Sequence, residues 1–154
     1  MTKWLSDEQQ QYWRAWLAAS TLLEDQLNRE LLDSHGLTMA DYEILVRLSD
    51  SPDRRIRMSE LAAITLSSRS RLTHQINRME NAGFVTREAC EDDRRGQLCV
   101  MTEHGWKTLV AAAPAHVTSV RTHFVDVLTP EEYLALGRAA EKIAAHLNEL
   151  PVQD

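Results

Sequence analysis

Between Ser67 and Arg78 the chain runs Ser-Ser-Arg-Ser-Arg-Leu-Thr-His-Gln-Ile-Asn-Arg, and no carboxylate lies between Glu60 and Glu80. Leu72, Ile76 and Met79 recur at spacings of four and three, which places them on one buried edge of a helix. Arg69, Arg71, Thr73, His74, Gln75 and Arg78 then face outward, with Ser67 and Ser68 opening the segment, Ser70 in its first turn and Gly83 closing it. Guanidinium forks, a side-chain amide and small hydroxyls are the groups that hydrogen-bond to phosphate oxygens and base edges. A solvated surface helix uses the same residue types, so the helix alone does not decide.

The residues that follow do. Phe84 to Cys90 and Gln97 to Thr102 are two β-capable runs separated by Glu91-Asp-Asp-Arg-Arg-Gly96, the pattern of a hairpin with a charged tip carrying Arg94 and Arg95 side by side. Upstream, Met58 to Ile64 forms a short helix with Ser59 as its expected N-cap, and Thr65-Leu66 falls in the turn. Helix, turn, second helix and arginine-tipped hairpin, in that order, predict a winged helix-turn-helix.

The positioning elements are helical. Asp7 to about Ser34 carries an apolar stripe of Tyr12, Trp13, Trp16, Leu23, Leu27 and Leu31 and stops at Gly36. A second helix starts after Thr38, with Thr38 and Asp41 as a capping pair and Tyr42, Leu45, Val46 and Leu48 inward, and ends at Ser51-Pro52-Asp53. After Thr102, the residues Trp106, Val110, Ala113, Val117, Val120, Phe124 and Val127 alternate by four and three as in a coiled-coil seam. Pro114 is expected to kink or interrupt that helix near Ala112 to Ala115. Thr129-Pro-Glu-Glu132 opens a last helix whose Leu136, Ala140, Ile143, Leu147 and Leu150 continue the seam. Three such stripes are all covered if two copies pair. The expected fold is therefore mainly α with a small β-hairpin wing: one domain over 1–154, with 38–102 as the DNA-binding lobe and 7–34 and 106–150 as dimerisation helices.

Composition bounds the function. The chain has 154 residues, 44% of them hydrophobic, enough for a core without disulfide staples. It has no apolar run near membrane-spanning length and no basic-then-apolar leader, so a cytoplasmic location with no membrane partner is expected. The net charge of −6 looks wrong for a nucleic-acid ligand until it is mapped. Residues 54–95 hold nine arginines against six acids, a balance of +3, and the rest hold eight bases against seventeen acids, a balance of −9. The basic charge sits where the helix and hairpin are, and the acidic remainder limits non-specific binding.

Nearly the whole chain resembles the MarR family of bacterial transcriptional regulators, most specifically over residues 58–105. The resemblance rests on Ser59-Glu-Leu-Ala62, on the arginine-bearing helix ending Arg78-Met-Glu-Asn-Ala-Gly83-Phe-Val-Thr-Arg87, on Asp93-Arg-Arg-Gly96 and on Met101-Thr-Glu-His-Gly105. It implies a homodimer that binds double-stranded DNA at a pseudo-palindromic operator, a repressor released by a small aromatic or anionic molecule, and no cofactor. It also implies that Ser67 to Arg78 enter the major groove, that Arg94 and Arg95 lie in or beside the minor groove, and that Asp93 holds Arg95 by a charge-assisted hydrogen bond. Within the helix, Arg69, Arg71 and Arg78 suit guanine or phosphate, Gln75 suits adenine, and Ser67, Ser68 and Thr73 suit phosphate.

The effector site is set less sharply. Tyr12, Trp13, Trp16, His35, Tyr42 and His116 are candidates to surround a cavity, with Arg14, Arg47 or a wing arginine for an anionic group, although aromatic residues at helical spacing more often form core. Cys90 and Cys99 flank the wing and, if they meet across it, would make a redox-sensing regulator the alternative. A winged-helix module that binds only protein is a further alternative, which the arginines at 69, 71 and 78 disfavour. The six histidines are scattered, with no HExxH, phosphate loop or nucleophile elbow. His116, His123 and Asp126 could share a helix face, but a solvated face explains them better than a metal, so neither an enzyme nor a metal site is expected.

Overall fold

In a computed structural model that describes residues 1–149, the chain forms α1 (Asp7–His35), α2 (Met39–Asp50), β1 (Arg55–Arg57), α3 (Met58–Ile64), α4 (Arg69–Asn81), β2 (Val85–Ala89), β3 (Gln97–Met101), α5 (Glu103–His123) and α6 (Pro130–Asn148). It divides into two compact units at Val117/Thr118. Leu150, the last residue of the expected seam, lies outside the described residues.

In the first unit, α1 starts at a Ser6 capping box with Gln9 and ends at Gly36, whose φ of 67° gives the left-handed turn that a side chain would disfavour. Thr38 and Asp41 form the capping box of α2. Ser59 does not cap α3. Arg57 occupies the cap position without a side-chain bond, because its backbone is held in β1, a strand that the sequence reading did not anticipate. The sheet is antiparallel in the order β1-β3-β2. Three residues are too short to show period-two alternation, which is why β1 gives no sequence signal.

The core of this unit gathers Leu31, Leu37, Ile44, Leu45, Leu48, Leu61, Leu72, Ile76, Met79, Val85 and Cys99. On α1 only Leu27 and Leu31 of the predicted stripe are buried. Leu23 is half-buried, and Tyr12, Trp13 and Trp16 remain 62%, 52% and 46% exposed, so that end of the stripe is not covered within one chain. On α5 the buried apolar side chains are Leu109 and Ala112, one residue away from the predicted Val110 and Ala113, while Val110 and Val117 stay exposed. The helix passes Pro114 without interruption. Arg54 lies 3.8 Å above the Trp106 ring.

In the second unit, Thr129 caps α6 with Pro130 in the first turn and Glu132 closing the box, as expected. Arg121 bonds Asp126, and Phe124 meets Tyr133 edge to face. None of the described residues of α6 is buried, and Leu134, Ile143 and Leu147 are exposed.

The wing is tied to the end of α4 at one junction. The Thr102 amide donates to the Phe84 carbonyl, its hydroxyl lies 2.6 Å from the Gly83 carbonyl oxygen, and the same hydroxyl accepts the Gly105 amide at the start of α5. Gly105 packs so closely that a Cβ there would overlap the Phe84 carbonyl. Gly105→Ala should therefore force the junction apart and lower unfolding stability by about 1–3 kcal/mol, read as a reduced urea midpoint at unchanged slope.

The β2/β3 register corrects the expectation about the two cysteines. Cys99 lies opposite Arg87 and Cys90 bonds Gly96, so the thiols are offset by three residues along the hairpin. That is about 10 Å at the rise of a strand, beyond disulfide reach. Both are free and buried, and burial pushes the Cys99 thiol up to about 12. Iodoacetamide at pH 8 should leave Cys99 unmodified in the native protein and label it in urea; rapid native labelling would contradict this burial.

Candidate nucleic-acid interface

The recognition surface begins with α4. Ser68 caps it, its hydroxyl oxygen accepting the Arg71 amide at 3.2 Å, and the first turn carries no acid. The amides of that turn and the helix dipole present a positive end. Leu72, Ile76 and Met79 are buried as predicted, and Arg69, Ser70, Arg71, Thr73, His74 and Arg78 are exposed. Two hydroxyls are partly committed. Thr73 donates its proton to the Arg69 carbonyl at 2.8 Å, and Ser68 uses a lone pair as the cap. Ser67 precedes the helix, with its amide on the Ala62 carbonyl.

Gln75 departs from the expectation of a free outward side chain. It is half-buried, and its Nε2 donates to Oδ1 of Asp41 at 3.3 Å. Arg78 also approaches that oxygen, at 4.0 Å. Asp41 was expected only as a capping residue, and its second role has no signal in local sequence because it spans 34 positions.

At the wing tip the structure corrects the role given to Asp93. Its Oδ1 accepts the backbone amide of Arg95 at 3.0 Å rather than the guanidinium. A carboxylate two residues ahead in a tight turn reaches that amide more easily than a long side chain. Arg94 and Arg95 are exposed. Behind the tip, Arg57 of β1 pairs with Asp92 at 4.0 Å. Arg87 bonds Glu80 at 2.9 Å and Asn77 at 2.5 Å, which braces the wing against α4.

Helix and wing enclose a groove of about 500 Å³ whose lining includes Arg57, Ser59, Arg69, Thr73, Arg94 and Arg95. Arg57 and Ser59 were not assigned to this surface from sequence. Of the nine arginines between 54 and 95, five have carboxylate partners: Arg54, Arg55, Arg57, Arg78 and Arg87. Arg69, Arg71, Arg94 and Arg95 have none within 4.0 Å among the described residues. The four unpaired cations all belong to the recognition helix or the wing tip.

The effector candidates do not converge in the same way. Tyr42 and His116 do meet, with ring centroids 4.4 Å apart, and the His116 Nδ1 is buried without a hydrogen-bond partner. Burial lowers the His116 pKa, so the ring is neutral at pH 7. Tyr12, Trp13 and Trp16 lie exposed along α1, His35 contacts Ser34, and Arg47 pairs with Glu43. A second cavity is lined by Asp7, Gln10, Gln11 and Arg14, and none of the predicted aromatic residues lines either one. No group of three metal-ligating side chains occurs among the described residues.

A profile of the MarR family matches residues 35–96. The transcriptional regulator HosA of Escherichia coli is 33% identical over 96 residues, which are 62% of this chain and 69% of HosA. The structure of AbsC, a MarR family transcriptional regulator from Streptomyces coelicolor, superposes with a TM-score of 0.92 at 53% identity, covering 97% of this chain and 100% of AbsC. That of Sco3205, a MarR family regulator from the same organism solved in complex with DNA, gives 0.93 at 42% identity over 99% and 94%. A winged helix-turn-helix carrying this helix and wing, matched over nearly its whole length, means that the chain belongs to the MarR family of transcriptional regulators.

Proposed function

We propose that the protein binds double-stranded DNA as a homodimer and represses transcription from the site it occupies. The observation that carries this reading is the groove between α4 and the wing, lined by the unpaired Arg69, Arg94 and Arg95, with unpaired Arg71 exposed in the same first turn of α4. In an otherwise acidic chain, cations without carboxylate partners are free to take phosphates and base edges. Ser67 to Arg78 supply the major-groove contacts. Arg94 and Arg95 supply the wing contacts, with Asp93 shaping the turn. The exposed aromatic row of α1 and the uncovered apolar row of α6 support pairing with a second copy, and a two-fold dimer addresses half-sites with centres about 10 bp apart.

Release by a small aromatic or anionic molecule completes the proposal. Support for it is the Tyr42–His116 ring pair with its unpartnered buried nitrogen, one residue from Asp41, which itself touches the recognition helix.

Footprinting on an operator selected from random duplexes should show two symmetric protected half-sites and a dimer in sedimentation; one half-site bound by a monomer would defeat the proposal. Arg95→Ala should weaken binding on all duplexes and lower the slope of log K against log salt by about one unit. Titration with aromatic carboxylic acids should reduce affinity for the operator, and Tyr42→Ala should blunt that response while leaving ligand-free binding within about threefold.

A further inference from the structure

Asp41 divides its carboxylate between two helices. Oδ2 accepts the Thr38 amide at 3.4 Å and so completes the cap of α2, while Oδ1 takes the amide nitrogen of Gln75 on α4 at 3.3 Å, with Arg78 4.0 Å from the same oxygen. Asp41 is 7% exposed. A buried carboxylate needs both hydrogen bonds and a compensating cation, and here α4 provides them.

The consequence for Gln75 is one of polarity. An amide side chain can present either its oxygen or its NH2 group, and ordinarily both ends compete for a given partner. An ionised carboxylate accepts only, so it fixes the NH2 end of Gln75 toward Asp41 and leaves Oε1 as the end directed away. From these contacts we infer that Asp41 is a positioning residue for sequence choice: it makes Gln75 a hydrogen-bond acceptor toward DNA. Gln75 then accepts from the exocyclic amino group of adenine or cytosine and rejects thymine and guanine at that position, whose major-groove oxygens are acceptors. This rests on the DNA-binding reading above and deepens it.

The test is selection from a random duplex pool, followed by binding to the four single-base variants at the position where Gln75→Met alters the preference. The wild-type protein should favour an amino-bearing base there by roughly tenfold over thymine or guanine. Asp41→Asn, whose amide can offer either end, should reduce that ratio to about twofold or less, and Gln75→Met should erase it with no further loss in the double variant. A purely structural role for Asp41 predicts something different, an even loss over all four bases, and that result overturns the inference. So does a wild-type preference for thymine or guanine. Thr38→Ala decides the question if Asp41→Asn melts below assay temperature: it removes the other half of the α2 capping box and leaves the Asp41–Gln75 bond in place, so it should lower stability yet retain the amino-base preference, whereas loss of preference in Thr38→Ala counts against the inference. Failure of the wild-type protein to select any duplex removes the DNA-binding reading itself; selection that is unchanged by Asp41→Asn removes only the role of Asp41.

Discussion

The display of every polar group on α4 depends on one buried edge. Leu72, Ile76 and Met79 are at most 1% exposed, and removing each side chain from water contributes about 2 kcal/mol. That edge fixes the rotation of the helix about its axis. Because side chains on a helix are spaced by 100°, setting three of them inward leaves Arg69, Arg71, Thr73, His74 and Arg78 no choice but to face out. A polar substitution at Ile76 would remove more than stability: it would release the rotation that keeps these polar side chains outward.

Rotation alone does not make an interface, since the wing has to stand at a set distance from the helix. Two connections do this. Arg87 reaches from β2 to Glu80 and Asn77 on α4, and Thr102 holds the end of β3 to the Gly83–Phe84 turn. The first spans 7 to 10 residues and the second 18 to 19, and together they close the helix, turn and hairpin into one unit. The Gly105 contact, where no side chain fits, shows how close that closure is.

Much of this was legible in the sequence because it depends on neighbours. The caps at Thr38 and Thr129, the stop at Gly36, the buried edge of α4 and the hairpin all follow from spacings of two to four residues. What escaped depends on distant partners or on backbone strain. Asp41 reads as a cap because Thr38 is three residues away, whereas Gln75 is thirty-four away. β1 exists only because β3 is there to pair with it. Leu66 holds a left-handed φ of 52° and is highly exposed in the turn before α4, although nothing in a leucine suggests that conformation. The predicted α5 seam missed the intramolecular face by one residue because heptad counting cannot tell which of two adjacent rows faces its own chain. Cys90 and Cys99 flank the wing, and whether they meet depends on the strand register, which sets them three residues apart.

The paired arginines near the groove are not equivalent, and burial orders them. Arg57 pairs with Asp92 at 4.0 Å, and the Asp92 side chain is 91% exposed; such a contact is worth little in water and can be exchanged for a phosphate at almost no loss. Arg87 is different, being 25% exposed with two short bonds, and withdrawing it would loosen the wing. Arg78 lies between these cases: its side chain is 54% exposed but its partner Asp41 is buried, so moving it away would leave a carboxylate short of compensation. Under the DNA-binding reading, Arg57 therefore joins Arg69, Arg71, Arg94 and Arg95 as a mobile contributor, Arg87 stays structural, and Arg78 contacts DNA only from a position in which it still neutralises Asp41. The charge available to DNA is thus set by which arginines can leave their carboxylates, and the total of −6 says nothing about it.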